Sequence, residues 1–395
     1  MFAAWTRIRS GFRSLAPSWK ESLLSGLAAR IVLGIWAAIF FIRHLIPPES
    51  SLSSDFYFTV TPLLHGLDGA LLGMWQRWDG IHYQVIAESG YNQIESVYFP
   101  AYPFLARTLS QVTGLPVMVF LLFISALAAF FCLVLIYQIT SSLLPQPSAP
   151  RQAMLGLLLF PTSFFLFAAY PQSLALLWIL LAYQQAQHQH WLAASLAGLL
   201  AGLTHGTVVP LAAMLAVQAI QVLRGQKFSL RWPALLSVPI MPLLGLGIFL
   251  AWRERMGYLI LSPAQYQWPR VFSFPWDTLW ADVLYLFNHM PPEWFALFNA
   301  ALLILAVIAS IWGLRHLPLA LNVYQLGLLI FILSSRVMGT DPLISFNRLI
   351  LIQFPFFIAV GALPLNAFRS RALITGALTA CLFVSALFFM WHWVG

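Results

Sequence analysis

Apolar residues run in blocks of roughly twenty along most of the chain, broken by short clusters of charge and proline. The blocks fall at 24–46, 115–142, 152–169, 172–187, 192–206, 208–223, 232–252, 295–314, 318–335, 348–365 and 372–393. A helix satisfies its own backbone in lipid, and ~20 apolar residues cross the ~30 Å hydrocarbon core. The pattern therefore predicts an all-α polytopic membrane protein with about 11 transmembrane helices. Several blocks are short enough to form half-helices or tilted pairs. Two long polar intervals remain, 47–114 and 253–294, and both are expected to carry interfacial helices. In the first, VYFPAYPFLARTLSQVTG (97–114) is too short and too broken by proline to cross, so its aromatics are placed at headgroup depth. No repeat or low-complexity linker divides the chain, which reads as a single domain over 1–395.

Composition narrows the class. A chain that is 61% hydrophobic and 8% charged is not a soluble globular protein. The net charge of +8 does not imply a nucleic-acid partner, because the basic residues sit singly or in small clusters at block ends, as orientation signals do. With the N-terminus cytoplasmic, the N-terminal segment and the loops 143–151, 224–231, 315–317 and 366–371 hold more than half of the Lys and Arg residues. Glu49, Asp55, Asp68, Asp79, Glu88, Glu95, Glu254, Asp277, Asp282, Glu293 and Asp341 then all face the other side. The working surface is expected there, outside a cell membrane, and a bacterial one suits the lean loops. Arg7, Arg9, Arg13 and Lys20 precede a first block too long for the apolar part of a signal peptide, which reads as an uncleaved span. Cys132 and Cys381 both lie in apolar blocks and read as small buried hydrophobes.

The chemistry concentrates in RWDGIHYQVIAESGYNQIESVYFPAYP, residues 77–103. Trp75, Trp78, Tyr83, Tyr91, Tyr98 and Phe99 interleave with its charges, which favours a packed site over a solvated loop. Asp79 is the candidate general base; the alternative is a carboxylate that caps a helix starting at Gly80 or Ile81. His82 could hydrogen-bond that base or a phosphate. Glu88, nine positions on, shares roughly the same helical face and could bind sugar hydroxyls or help hold a divalent metal; otherwise it is solvated. Arg348 in SFNRLILIQFP and Arg270 in QYQWPRVF each offer a guanidinium to a phosphate, or snorkel to headgroups. His205 in GLTHGT breaks two short blocks at membrane depth, and Tyr170-Pro171-Gln172-Ser173 forms a turn that lines a cavity or simply reverses the chain. No Walker loop, dinucleotide fingerprint, HExxH or CxxC occurs, which argues against nucleotide chemistry and a built-in zinc site.

With these residues in view, the chain resembles the GT-C superfamily of membrane glycosyltransferases, and more closely the second GPI mannosyltransferase family and its prokaryotic relatives. The similarity rests on RWDGIHYQVIAESGY followed by YFPAYPFLAR, with weaker echoes in PTSFFLFAAYPQSLALL, AQYQWPR and SFNRLILIQFP. Gln172, His205 and Leu349 depart from the family pattern, which has Glu, Arg and Tyr there. The resemblance implies inverting transfer of a sugar, mannose by analogy, from a polyprenyl-phosphate donor to a lipid-linked or glycolipid acceptor at the outer face. Asp79 takes the position of the base and Arg348 that of a donor-phosphate ligand. The expected substrate-binding set is Arg77, Trp78, His82, Tyr83, Glu88, Tyr91, Tyr102, Gln172, His205, Arg270 and Arg348. No cofactor is called for; a divalent metal is compatible with the sequence but not required by it. The expected partners are the donor, the acceptor and membrane lipids, not nucleic acid. The competing class is a transporter or flippase of a polyprenyl-linked substrate. Such a protein tends to show inverted repeats and charge on broken spans near the midplane; here the charges collect in loops, and only the break at His205 points that way. A partner subunit with a decayed site is a third reading, suggested by Gln172 and His205.

Overall fold

The computed structural model describes residues 15–45, 59–224, 232–258, 270–289 and 293–395. The expectations placed on Arg7, Arg9, Arg13, Glu49, Asp55, residues 225–231 and the AQYQW stretch lie outside the described residues.

Among the described residues the regular structure is helical except for one small ribbon. Helix α1 covers Pro17–Ile42, α2 Gly66–Leu71, α3 Asp79–Ser89 and α4 Ala101–Thr113. There follow α5 Val117–Leu143, α6 Ala149–Leu158, α7 Gln172–Gln187, α8 Trp191–Thr204, α9 Val208–Leu223 and α10 Trp232–Arg255. Strand β1 (Arg270–Phe272) precedes α11 Pro275–Asn288, α12 Trp294–His316 and α13 Leu319–Leu333. Strand β2 (Ser335–Val337) then leads to α14 Phe346–Leu349, α15 Phe354–Gly361 and α16 Ala367–Phe389.

Among the described residues, five helices are long and apolar enough to cross a membrane: α1, α5, α10 from Leu235, α12 and α16. Several long apolar helices of this kind make a helical membrane protein. The other predicted blocks are shorter elements. Helices α8, α9 and α13 have 14, 16 and 15 residues, about 21–24 Å at 1.5 Å per residue, less than the ~30 Å core. The 152–169 block splits into α6 and a 3-10 turn at Ser163–Leu166, and the 348–365 block into α14, a 3-10 turn and α15. Proline explains part of this: Pro161 and Pro171 bracket the non-helical stretch, and each removes a backbone donor that a continuous helix needs.

Helix α5 lies at the centre, with α1, α4, α6 and α7 packed around it. Helices α8 and α10 meet most closely, along Gly198 and Gly202 on one and Pro242 and Gly245 on the other. A Cβ at Gly202 would fall on the Pro242 carbonyl, and one at Gly245 on that of Leu199. Small residues four apart let two backbones approach, and packing in lipid relies on that approach because lipid tails supply no hydrophobic drive. Helices α4 and α11, in the two polar intervals, leave large apolar side chains exposed, Phe104 and Val112 on the first and Trp276, Trp280 and Phe287 on the second. The ribbon, absent from the sequence reading, pairs β1 and β2 antiparallel with Val271 opposite Arg336.

Candidate active site

The segment 77–98 forms a cap over one end of the helix bundle, and the ends of α10, α14 and α16 converge beneath it. Arg77 is the chief fastener. It is buried, donates from Nε to the Phe389 carbonyl at 3.2 Å and from Nη1 to the carbonyls of Gly73 at 2.8 Å and Gln76 at 2.9 Å. Its guanidinium also lies 4.5 Å from the Trp391 ring centre. Arg77, expected to bind substrate, is engaged with carbonyls of the fold and with the ring of Trp391. Trp78 packs edge-on against Trp391 and Trp393.

Trp78 has φ of 53°, a left-handed value that costs a bulky residue free energy and persists only where the surroundings over-determine it. The next residue, Asp79, opens α3. Across the opening, Ser345 has φ of 72° just before α14, which carries Arg348. Two strained non-glycine residues thus precede the two charged ones.

Those two charges meet. Arg348 Nη1 donates to Asp79 Oδ2 at 2.6 Å, with the side chains 13% and 16% exposed. The pair is therefore enclosed but reachable. Tyr98 OH donates to Asp79 Oδ1 at 3.3 Å, so both carboxylate oxygens are engaged. Phe165 and Tyr170 lie 5.8 and 5.3 Å from the Arg348 guanidinium, and Arg348 Nε is buried without a hydrogen-bond partner among the described residues. Tyr170 OH donates to the Arg77 carbonyl at 3.4 Å, which sets its ring beside the pair. Asp79 is the first residue of α3 rather than its cap, since Trp78 holds the cap position and no side chain caps the helix, so its carboxylate is left to meet Arg348 and Tyr98.

His82 lies one turn on. Its Nδ1 is 3.1 Å from Glu95 Oε1, and its ring stacks on Tyr98 with centres 4.8 Å apart. Glu95 is fully buried. His82 therefore braces the tyrosine that bonds Asp79. Tyr83 is buried edge-on against Tyr98 and Tyr102. Its phenol is pushed up first by burial and then by the charge of Asp79, so it stays neutral. Tyr91 donates to the Tyr98 carbonyl at 3.0 Å, packs on Trp252, and accepts at its own carbonyl from Tyr258, which ties the cap to α10.

On the opposite wall, His205 lies between α8 and α9, its Nδ1 2.9 Å from Thr207 Oγ1 and its ring parallel to Phe99. Arg348 and Arg270 are near enough to repel a charge on it. Arg270, on β1, donates to the Ser335 carbonyl at 3.1 Å. Arg270 is exposed on the ribbon, and the charges of both Arg348 and Asp79 reach it, the first disfavouring and the second favouring its charged form. Arg348, Arg270, His205 and Asp79 thus share one electrostatic environment with an excess of positive charge.

Other predicted residues point elsewhere. Glu88 accepts from Gln84 at 2.7 Å at the far end of α3, about 14 Å from Asp79 along the axis at 1.5 Å per residue. Equal face does not give equal depth, so the two carboxylates cannot hold one ligand atom. Tyr102 is buried against α5, bonded to the Leu121 carbonyl and Ser125. Gln172 opens α7, buried, with Oε1 lacking a partner among the described residues. The residues that the sequence set omitted are Tyr98, Tyr170, Phe165 and Glu95. The Tyr-Phe-Pro and Ala-Tyr-Pro runs were the available signal for the tyrosines. Among the described residues no group of three or more His, Cys, Asp or Glu is placed to hold a metal ion.

Two further acids, Asp282 and Asp341, lie within electrostatic range of each other. Asp341 accepts from Asn299 at 2.7 Å and from the Leu343 N–H at 2.8 Å. Asp282 is pushed up to about 7, by burial first and by the charge of Asp341 second. The folded state then keeps a proton that the unfolded chain loses above about pH 4, so this group favours folding below that value and its contribution is lost as pH rises towards 7. Asp282→Asn is expected to raise the thermal midpoint in detergent at pH 8 and to change it little at pH 4. An equal shift at both pH values would place the cause in packing rather than in charge.

In comparisons with known proteins, no family model and no curated protein matches this chain.

Proposed function

We propose that the chain is a GT-C-type glycosyltransferase that moves a sugar, mannose by resemblance, from a polyprenyl phosphate to a hydroxyl of a lipid-linked or glycolipid acceptor. The observation that carries the reading is the enclosed contact between Asp79 and Arg348, with Arg270 and His205 in electrostatic range. A membrane-embedded donor needs cations for one phosphate, a base for one hydroxyl and an apolar path for its chain. The recess supplies the first two. A cavity of about 1110 Å³ between α6, α12, α15 and α16, walled by Leu155, Phe160, Phe298, Leu302, Val360 and Phe368, is suited to a prenyl or acyl chain.

In the proposed step Asp79 takes the acceptor O–H proton, the freed oxygen bonds to the anomeric carbon, and the bond from that carbon to the phosphate oxygen breaks. The electron pair leaves on the polyprenyl phosphate, whose charge Arg348 receives. One carboxylate suffices for such a single displacement, and the product is inverted. The donor phosphate competes with Asp79 for the Arg348 fork, so its arrival frees a carboxylate oxygen to meet the acceptor hydroxyl. About eleven crossings, some of them made by half-helices or tilted pairs, the extracytoplasmic site and the cytoplasmic N-terminus belong to the same proposal. Their support is the distribution of Lys and Arg and the gathering of Asp79, Arg348 and Arg270 at one end of the bundle.

The test is sugar transfer by the purified chain in lipid vesicles, with polyprenyl-phosphate mannose as donor and a membrane lipid extract as acceptor. A new glycolipid with inverted anomeric configuration is the expected product. Translocation of labelled donor without any glycolipid product would favour the transporter instead.

A further inference from the structure

The ribbon that presents Arg270 to the recess forms, with α11, a second pocket. Ser273 turns the chain out of β1, its N–H bonded to the Ser334 carbonyl, and α11 starts two residues later. Thr278 Oγ1 donates to the Leu333 carbonyl at 2.6 Å, fastening the first turns of α11 to the end of α13. The notch thus held open has a volume of about 550 Å³, with Phe272, Phe274 and Trp280 as aromatic walls and Asp277 and Arg336 as charges. Its walls are tied by one backbone bond and one side-chain bond to α13 and the ribbon, so the pocket is preformed.

The two charges do not meet. Opposite charges lining one small space would ordinarily pair, yet neither Asp277 nor Arg336 forms an ion pair among the described residues. Arg336 donates from Nη2 only to the Met338 sulfur, a weak acceptor, and its Nε is buried with no partner among the described residues. An under-used guanidinium on one wall and a carboxylate on another suit a ligand that carries an anion and a cation a few ångströms apart. The setting adds a lipid. Trp276, Trp280, Leu284 and Phe287 form an exposed apolar stripe at helical spacing on α11, which is what a helix in the headgroup region of a bilayer presents.

We infer that this pocket binds the headgroup of a phospholipid whose phosphate is linked to a primary amine. Arg336 takes the phosphate oxygens through its planar fork. Asp277 accepts from the ammonium, and the face of Trp280 attracts the same cation. A quaternary ammonium could use the aromatic face but has no N–H for Asp277, and a glycerol headgroup has no cation at all. The site is separate from the Asp79 recess and does not depend on the reaction proposed there. Because Phe272 of β1 and Arg336 of β2 both line the pocket, lipid seated here would steady the ribbon that carries Arg270.

The experiment is native mass spectrometry of the delipidated full chain with phosphatidylethanolamine, phosphatidylcholine or phosphatidylglycerol added singly. Free phosphoethanolamine and inorganic phosphate serve as soluble competitors, and each variant is checked by its thermal midpoint. Wild-type chain is expected to retain phosphatidylethanolamine about tenfold better than the other two, the value of one charge-assisted hydrogen bond. Arg336→Gln should lower retention of both phosphatidylethanolamine and phosphatidylglycerol. Asp277→Asn should abolish only the preference for the amine and leave phosphatidylglycerol unchanged. Competition by phosphoethanolamine but not phosphate assigns the site to the whole headgroup. Competition by phosphate alone, equal retention of the three lipids, or wild-type retention by folded variants would overturn the inference.

Discussion

Asp79→Asn is expected to cut sugar transfer by about 10²- to 10⁴-fold, the usual worth of general-base help. The amide keeps the size of the carboxylate, and its one oxygen can still accept from Arg348 while the contact with Tyr98 is lost, so the cap over the bundle should stay in place. It cannot take a proton. Removing one partner of an enclosed ion pair also leaves Arg348 charged and poorly compensated, so the melting temperature should fall as well. Single-turnover transfer with saturating donor, measured on protein that is still folded at the assay temperature, separates the two effects. If the folded variant transfers sugar at near-normal rates, Asp79 is not the base. The ion pair would then be a structural tie between α3 and α14.

Arg348 is expected to split the two simplest substitutions. Arg348→Lys keeps a positive charge beside Asp79 but loses the planar fork, and should raise the donor KM about tenfold, the loss of one charge-assisted hydrogen bond. Arg348→Ala removes both charge and fork, and should lower kcat/KM for the donor by two to three orders of magnitude, roughly 3–4 kcal/mol. The acceptor KM should change little in either case. Donor-titration kinetics on the two purified variants decide it. Wild-type donor kinetics in both would mean that Arg348 meets no phosphate and that only Asp79 employs its charge. A fall in acceptor affinity of equal size would place Arg348 on the other substrate.

The sequence by itself determined that this is a helical membrane protein, because solvating a backbone in lipid leaves few options and the apolar blocks run the length of the chain. It also singled out Asp79 within 77–103, because charge at such density in so apolar a chain stands out. Span length was less legible. Apolar composition reads the same in a continuous helix and in two short ones, so 152–169 and 348–365 looked like single spans.

Which charges meet was decided only by tertiary structure. Asp79 and Arg348 are 269 residues apart, and no local pattern announces a 2.6 Å contact over that separation. The same holds for Arg77, whose place in the sequence beside Asp79 suggested the site but whose guanidinium is directed at the carbonyl of Phe389, 312 residues on. Helical periodicity placed Glu88 on the face of Asp79 and said nothing of the distance along the axis. Tyr98 and Tyr170 stood among many aromatics in the sequence, and only the packing of the cap placed these two beside the ion pair. Sequence proximity sets which residues share an element, whereas packing sets which of them share a solvent-reachable space, and chemistry needs the second.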